Sequence, residues 1–140
     1  MKKENFSIEG NYALSANGCH IDLHNNFDFM GFSYDALSSS LTLNWVKTEG
    51  AWVGSDELSK VEIKFETVTF LKVHRNSINN EDADSSKTLA LLGYLHPDDV
   101  DTMDGSLDER EANSDYHMIF LFEDSLAIKV FSSCAICRIE

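Results

Sequence analysis

Proline is nearly absent from this chain, with one residue in 140, and glycine is scarce at seven. Collagen-like and Pro/Gly-rich low-complexity architectures are thereby excluded. Cysteine is limited to Cys19, Cys134 and Cys137, an odd number too small for a disulfide scaffold, which fits a reducing compartment. Positive charge is also in short supply: eleven Lys and Arg face 24 Asp and Glu, for a net charge of −13. A surface of that sign repels phosphate backbones and anionic membranes and attracts basic partners, so neither nucleic acid nor membrane is expected as a partner. Long apolar runs are missing too. The longest covers residues 118–122, far short of the roughly 20 needed to span a bilayer. No apolar stretch follows Lys2 and Lys3, so no secretory signal is expected and the protein reads as cytoplasmic.

What is present suits a single core. Apolar residues make up 43% of the chain, and nine of them are Phe. One domain over residues 1–140 is expected, with a polar lead-in at 1–10 and acidic loops at 76–88 and 97–115. The clearest pattern lies in residues 41–73. Leu41, Leu43 and Trp45 alternate with Thr42 and Asn44, then Val61, Ile63 and Phe65 alternate with Glu62, Lys64 and Glu66. Period-two alternation places one set of side chains on a buried sheet face. After Phe65 the apolar parity resumes at Val68 and Phe70. Either a β-bulge near Glu66 and Thr67 restores it, or both faces are buried beyond Phe65.

Asn17-Gly18 is the best turn signal, because both residues tolerate positive φ, and it predicts a hairpin between residues 12–14 and 19–23. Phe27, Phe29 and Phe32 begin another strand, with Gly31 as a bulge or bend. A short strand is expected near residues 51–53. Residues 89–95, 116–122, 126–130 and 133–139 read as further strands. Pro97 followed by Asp98 and Asp99 suits the first turn of a short helix, with Gly105 as its stop and a mobile loop through Ser114. Together these describe an all-β, mostly antiparallel domain. The expected architecture is a β-sandwich or partly open barrel of about 8–10 short strands, with one or two short helical turns near residues 84–104.

Candidate chemistry is thin. Residues 76–115 hold eleven acids against Lys87 and Arg110, a balance of −9. An EF-hand reading from Asn80, Asp82 and Asp84 fails at Ser85 and Leu91, and one from Asp99 fails at Met103 and Arg110. A solvated acidic loop is the plain reading. Cys134 and Cys137 form C-x-x-C on a segment that reads as strand, where residues three apart point to opposite faces and cannot bridge. His20 and His24 would be about 13 Å apart on a strand, too far to share a ligand. There is no G-x-S-x-G, no H-E-x-x-H and no glycine-rich phosphate loop. No metal site, cofactor or catalytic residue is expected, and a non-enzymatic role is favoured.

The segments His20-Ile-Asp-Leu23, Phe27-Asp-Phe29, Leu41-Thr-Leu-Asn-Trp45, Val61-Glu-Ile-Lys-Phe65 with Val68, Leu92-Gly-Tyr-Leu95 and Leu126-Ala-Ile-Lys-Val130 follow a familiar order. That order resembles small, mostly-β bacterial proteins, some grouped with the immunity proteins of polymorphic-toxin and contact-dependent inhibition systems. The resemblance is one of strand pattern over most of the chain and carries no catalytic residue with it. It implies a binder that neutralises a toxin. An acidic inhibitor gains fast encounter against a basic, nucleic-acid-directed toxin domain. The expected contact surface is Asp98, Asp99, Asp101, Asp104, Asp108, Glu109 and Glu111, with Trp52 and Tyr94 as aromatic anchors. Two readings from other classes stand beside it. One is a β-barrel or enzyme with an internal pocket for a small molecule. The other is a self-associating module that dimerises through exposed edge strands.

Overall fold

The computed structural model describes residues 1–50, 58–75 and 87–140. These form ten strands: β1 (Lys2–Glu4), β2 (Phe6–Glu9), β3 (Ala13–Ala16), β4 (Cys19–Asp22), β5 (Phe27–Asp35), β6 (Ser40–Lys47), β7 (Lys60–Arg75), β8 (Leu89–Leu95), β9 (His117–Phe122) and β10 (Leu126–Ile139). A single 3-10 turn covers Pro97–Asp99. The expected helical start at Pro97 is met, but the turn closes at Val100 rather than at Gly105. No helix among the described residues is long and apolar enough to cross a membrane. The strand expected near residues 51–53 lies outside the described residues.

The large sheet runs β5-β6-β7-β10-β9-β8, all antiparallel neighbours, with β1 added in parallel to the second half of β10. It curls into a half-barrel. On a flat sheet β5 and β9 would stand four strand spacings apart, about 19 Å. Instead the ring centroids of Phe29 on β5 and Phe122 on β9 are 4.3 Å apart, and those of Trp45 and Phe120 are 5.9 Å apart. One backbone bond, from Phe29 N–H to the Lys87 carbonyl (2.8 Å), ties the start of β5 to the residues before β8. The hollow of the curl holds Trp45, Phe65, Phe120 and Phe122, all essentially inaccessible to water.

The predicted hairpin forms as β3 and β4, with Asn17 at φ 51° and Gly18 at φ 78°. With β2 these strands make a second, three-stranded sheet whose Phe6, Ile8, Leu14 and Ile21 enter the same core. Residues 1–10, expected as a polar lead-in, are thus two strands. Asn5 turns the chain between them at φ 57°. Its side-chain amide bonds the Cys137 carbonyl (2.6 Å) and accepts from the Cys137 N–H (3.1 Å), taking the place of a strand backbone.

Gly31 sits at φ 120° where the β5–β6 register slips by one residue, the expected bulge. The β7–β10 pair is the longest in the fold. Its register shifts where Phe131 pairs with Phe70 and Ser132 with Val68, leaving Thr69 over; Thr67 has a φ of 55°. The break lies close to the expected position and returns Val68 to the core. The two terminal segments expected at 126–130 and 133–139 are one strand, because β7 pairs with both across this irregularity.

Candidate functional site

The acidic segment after β8 is an anchored strap. It leaves β8 at His96, whose Nδ1 accepts from the Asp98 N–H (3.2 Å) and caps the 3-10 turn. It then crosses the outward face of the sheet. Residues on β10 alternate, so Ile128 and Val130 enter the core while Ala127 and Lys129 point the other way. That other face is nonetheless covered. Ala127, Ile119 and Leu95 are buried there, and the Lys129 side chain is 1% exposed. Lys129 Nζ donates to the Val100 carbonyl (2.9 Å) and lies 3.0 Å from Asp104 Oδ1. His74 Nε2 stands 3.6 Å from the same carboxylate oxygen, and Lys72 pairs with Asp101 at 3.0 Å.

Further on, Leu107 exchanges both backbone bonds with Tyr94 (3.1 and 2.8 Å) and covers part of the free edge of β8. The close approach depends on Gly93. A Cβ there would stand 2.4 Å from Ser106 Cβ and 2.9 Å from the Leu107 carbonyl oxygen. The strap is fastened again by Glu109, whose carboxylate accepts from the Tyr94 hydroxyl (2.9 Å) and the Ile8 N–H (3.0 Å) and contacts Lys3 Nζ. The Lys3 ammonium also lies 5.0 Å from the centre of the Tyr94 ring. Burial draws Lys3 down to about 8, while the adjoining carboxylate pulls the other way; burial raises the Tyr94 phenol.

The predicted surface therefore divides in two. Asp98, Asp101 and Glu111 are exposed, and Asp99 and Asp108 are partly so. Asp108 and Glu111 also bond each other's turn, the Asp108 N–H donating to Glu111 (3.2 Å) and the Arg110 N–H to Asp108 (3.0 Å). Asp104 and Glu109 face the body of the protein as fasteners. Tyr94, expected as a surface anchor, is 4% exposed and belongs to the core. Trp52 lies outside the described residues. The loop expected to be mobile through Ser114 is bonded to the sheet at Val100, Asp101, Asp104, Leu107 and Glu109.

Of the residues that hold the strap, Lys3, Lys72 and Lys129 were not singled out in the sequence, and His74 reads there as a surface or strand-end residue. Lys129 falls in the polar phase of an alternating strand and reads as a solvent residue. One signal did exist: the unbroken apolar run Met118–Phe122 means that β9 is buried on both faces, so some segment must cover the outer one.

Other candidates stay apart. Cys134 is half-buried and Cys137 buried, both as free thiols, and burial pushes the Cys137 thiol up to about 12. His20 pairs with Glu9, and His24 bonds the Leu89 carbonyl. Among the described residues no three of His, Cys, Asp and Glu converge to hold a metal ion. A cleft of about 250 Å³ between Lys3, Tyr94, Glu109 and Tyr116 falls below the roughly 300 Å³ at which small-molecule pockets usually begin, whereas one of about 450 Å³ beside Phe29 and Phe32 lies above it. Compared with known protein families, curated proteins and solved structures, the chain matches none.

Proposed function

We propose that this chain is a non-enzymatic protein-binding module that presents an acidic surface to a basic partner. The partner class is a basic toxin domain of the kind that immunity proteins neutralise. The observation that carries this reading is the anchoring of the strap. Asp98, Asp101 and Glu111 stay exposed on a segment already pinned by Lys129, Asp104 and Glu109. A loop ordered before binding avoids the cost of ordering it on contact, about 0.5–1.5 kcal/mol for each flexible side chain immobilised. The negative field, with −9 of the −13 net charge in residues 76–115, speeds encounter with a cationic surface.

The test uses the C-terminal domain of a toxin encoded beside this chain's gene, with association measured by stopped flow at several salt concentrations. Reversal of Asp98 and Glu111 to Lys is expected to slow association by about tenfold or more at low salt. Asp101, Asp104 and Glu109 are left intact, since changing them would loosen the strap itself. Unchanged association on charge reversal would place the contact elsewhere.

A further inference from the structure

Among the described residues β5 ends the large sheet and pairs with β6 along its length. Its first half is closed, because Phe29 N–H donates to Lys87 and the Phe29 ring lies against Phe122. Beyond the Gly31 bulge the situation changes. Met30, Phe32 and Tyr34 are 59%, 41% and 44% exposed, and Leu37 in the following turn is fully exposed. Among the described residues no backbone group bonds the outward edge of residues 31–35. Exposed edges are commonly blunted with Lys, with Pro, by a bulge or by a covering loop, and here the Gly31 bulge stands only at the start of the exposed half. Residues 30–35 contain neither Lys nor Pro. Beside them opens a cleft of about 450 Å³ lined by Phe29, Met30, Gly31, Phe32 and Leu126, whose charged residues among those described are Lys87 and Arg75, the latter paired with Asp124 (3.1 Å).

We propose that this edge joins two copies of the chain, β5 pairing antiparallel with β5 about a two-fold axis at Ser33. A two-fold contact places the same patch on both partners, so residue 33 faces itself, 32 faces 34 and 31 faces 35. In that register Phe32 lies opposite Tyr34 of the second copy, an aromatic cross-strand pair. Asp35, whose carboxylate also accepts from the Leu37 N–H (2.9 Å), lies opposite Gly31 of the second copy, beside the cleft that holds the exposed Lys87. The Asp35 carboxylate of one copy and the Lys87 ammonium of the other are then brought near on both sides of the axis, in a chain that is otherwise strongly negative.

Neighbouring registers lose this match. Centring on Phe32 sets Asp35 against Phe29, whose edge is already taken by Lys87. Centring on Tyr34 sets Asp35 against Ser33, away from the cleft. Because each copy carries −13, long-range repulsion opposes pairing and is screened beyond about 8 Å at physiological salt. Association of the two copies therefore strengthens as salt rises. That is the opposite of the salt dependence expected at the acidic strap, so the two surfaces can be told apart.

The experiment is sedimentation velocity of the full chain at rising concentration, alongside disulfide trapping of Ser33→Cys. Opposed residues of an antiparallel pair have Cα atoms about 4.5–5.5 Å apart, within disulfide reach. Ser33→Cys is expected to cross-link under mild oxidation well beyond the unmodified chain, whereas Leu37→Cys, equally accessible, is not. The Phe32→Lys, Tyr34→Lys double variant, checked for native circular dichroism, is expected to weaken the dimer about 100-fold or more by setting like charges opposite one another. A chain that stays monomeric with no Ser33→Cys cross-link overturns the proposal. So does a dimer that persists in the double lysine variant, or an edge that captures a different protein while the chain alone stays monomeric.

Discussion

Removal of the Asp104 carboxylate offers the sharpest test of how the strap is held. Lys129 lies on β10 with 1% of its side chain exposed, and its partners are Asp104 and the Val100 carbonyl. Asp104 is less enclosed, at 27%. Breaking a buried ion pair from one side costs about 3–5 kcal/mol, because the remaining charge is stranded away from water. Here the Val100 carbonyl stays in place and the strap admits some water, so Asp104→Ala is expected to cost about 2–3 kcal/mol. For a chain of this length that lowers Tm by about 7–10 °C.

The reciprocal change is expected to be milder. Lys129→Met fills the site with apolar atoms of similar length, and Asp104 can turn to solvent while keeping His74 close, 3.6 Å away. Its cost should stay under about 1 kcal/mol. Equilibrium urea unfolding of both variants and their double measures the asymmetry and the coupling. Hydrogen exchange should show residues 98–107 opening first in Asp104→Ala. Equal costs for the two single variants, or less than about 0.5 kcal/mol for Asp104→Ala, would refute the view that a stranded ammonium is the dominant penalty.

Gly93→Ala should displace the strap, since its Cβ would overlap Ser106 and the Leu107 backbone; a loss of about 1–3 kcal/mol in urea unfolding is expected. Faster hydrogen exchange at the Tyr94 and Leu107 amides would report the displacement. His117 lies between the rings of Phe70 (4.8 Å) and Phe131 (5.0 Å), and burial, then the nearby terminal amine, lowers its pKa while Asp115 opposes them. The unfolded chain then binds more protons than the folded one below about pH 6.5, so this stabilisation is complete above that pH and is lost as pH falls. The urea midpoint should drop between pH 7.5 and 5.5 by less in His117→Phe than in the unaltered chain. Cys137, with its thiol raised to about 12, should resist thiol reagents at neutral pH until the protein unfolds, which a timed Ellman assay would show.

Most strands with one face in water were readable, but β2 was missed, because the alternation of Phe6 and Ile8 with Ser7 and Glu9 falls within the expected polar lead-in. Leu41, Leu43 and Trp45 against Thr42 and Asn44 announce β6 without ambiguity, and Asn17-Gly18 marks a turn that only positive φ satisfies. β1 escaped notice because three residues, Lys-Lys-Glu, carry no apolar phase; its pairing is supplied by the edge of β10 and not by its own side chains. The acids of the strap were visible as charge, but their division into exposed and inward groups was not. Asp101 and Asp104 look alike in a list of acids, and only the position of Lys129 beneath the strap separates them.

Local sequence determined what depends on neighbours along the chain: the strand periods, the Asn17-Gly18 turn, the Gly31 bulge and the start of the 3-10 turn at Pro97. The curl that brings Phe29 onto Phe122, the covering of the outer face of β9 and β10, and the burial of Lys129 were decided by tertiary structure. The reason is physical. Backbone preference and alternation are set within a few residues, whereas solvent access at a side chain depends on which distant segment lies over it. Asp104 reaches Lys129 across 25 positions only because the sheet has first brought β8, β9 and β10 side by side.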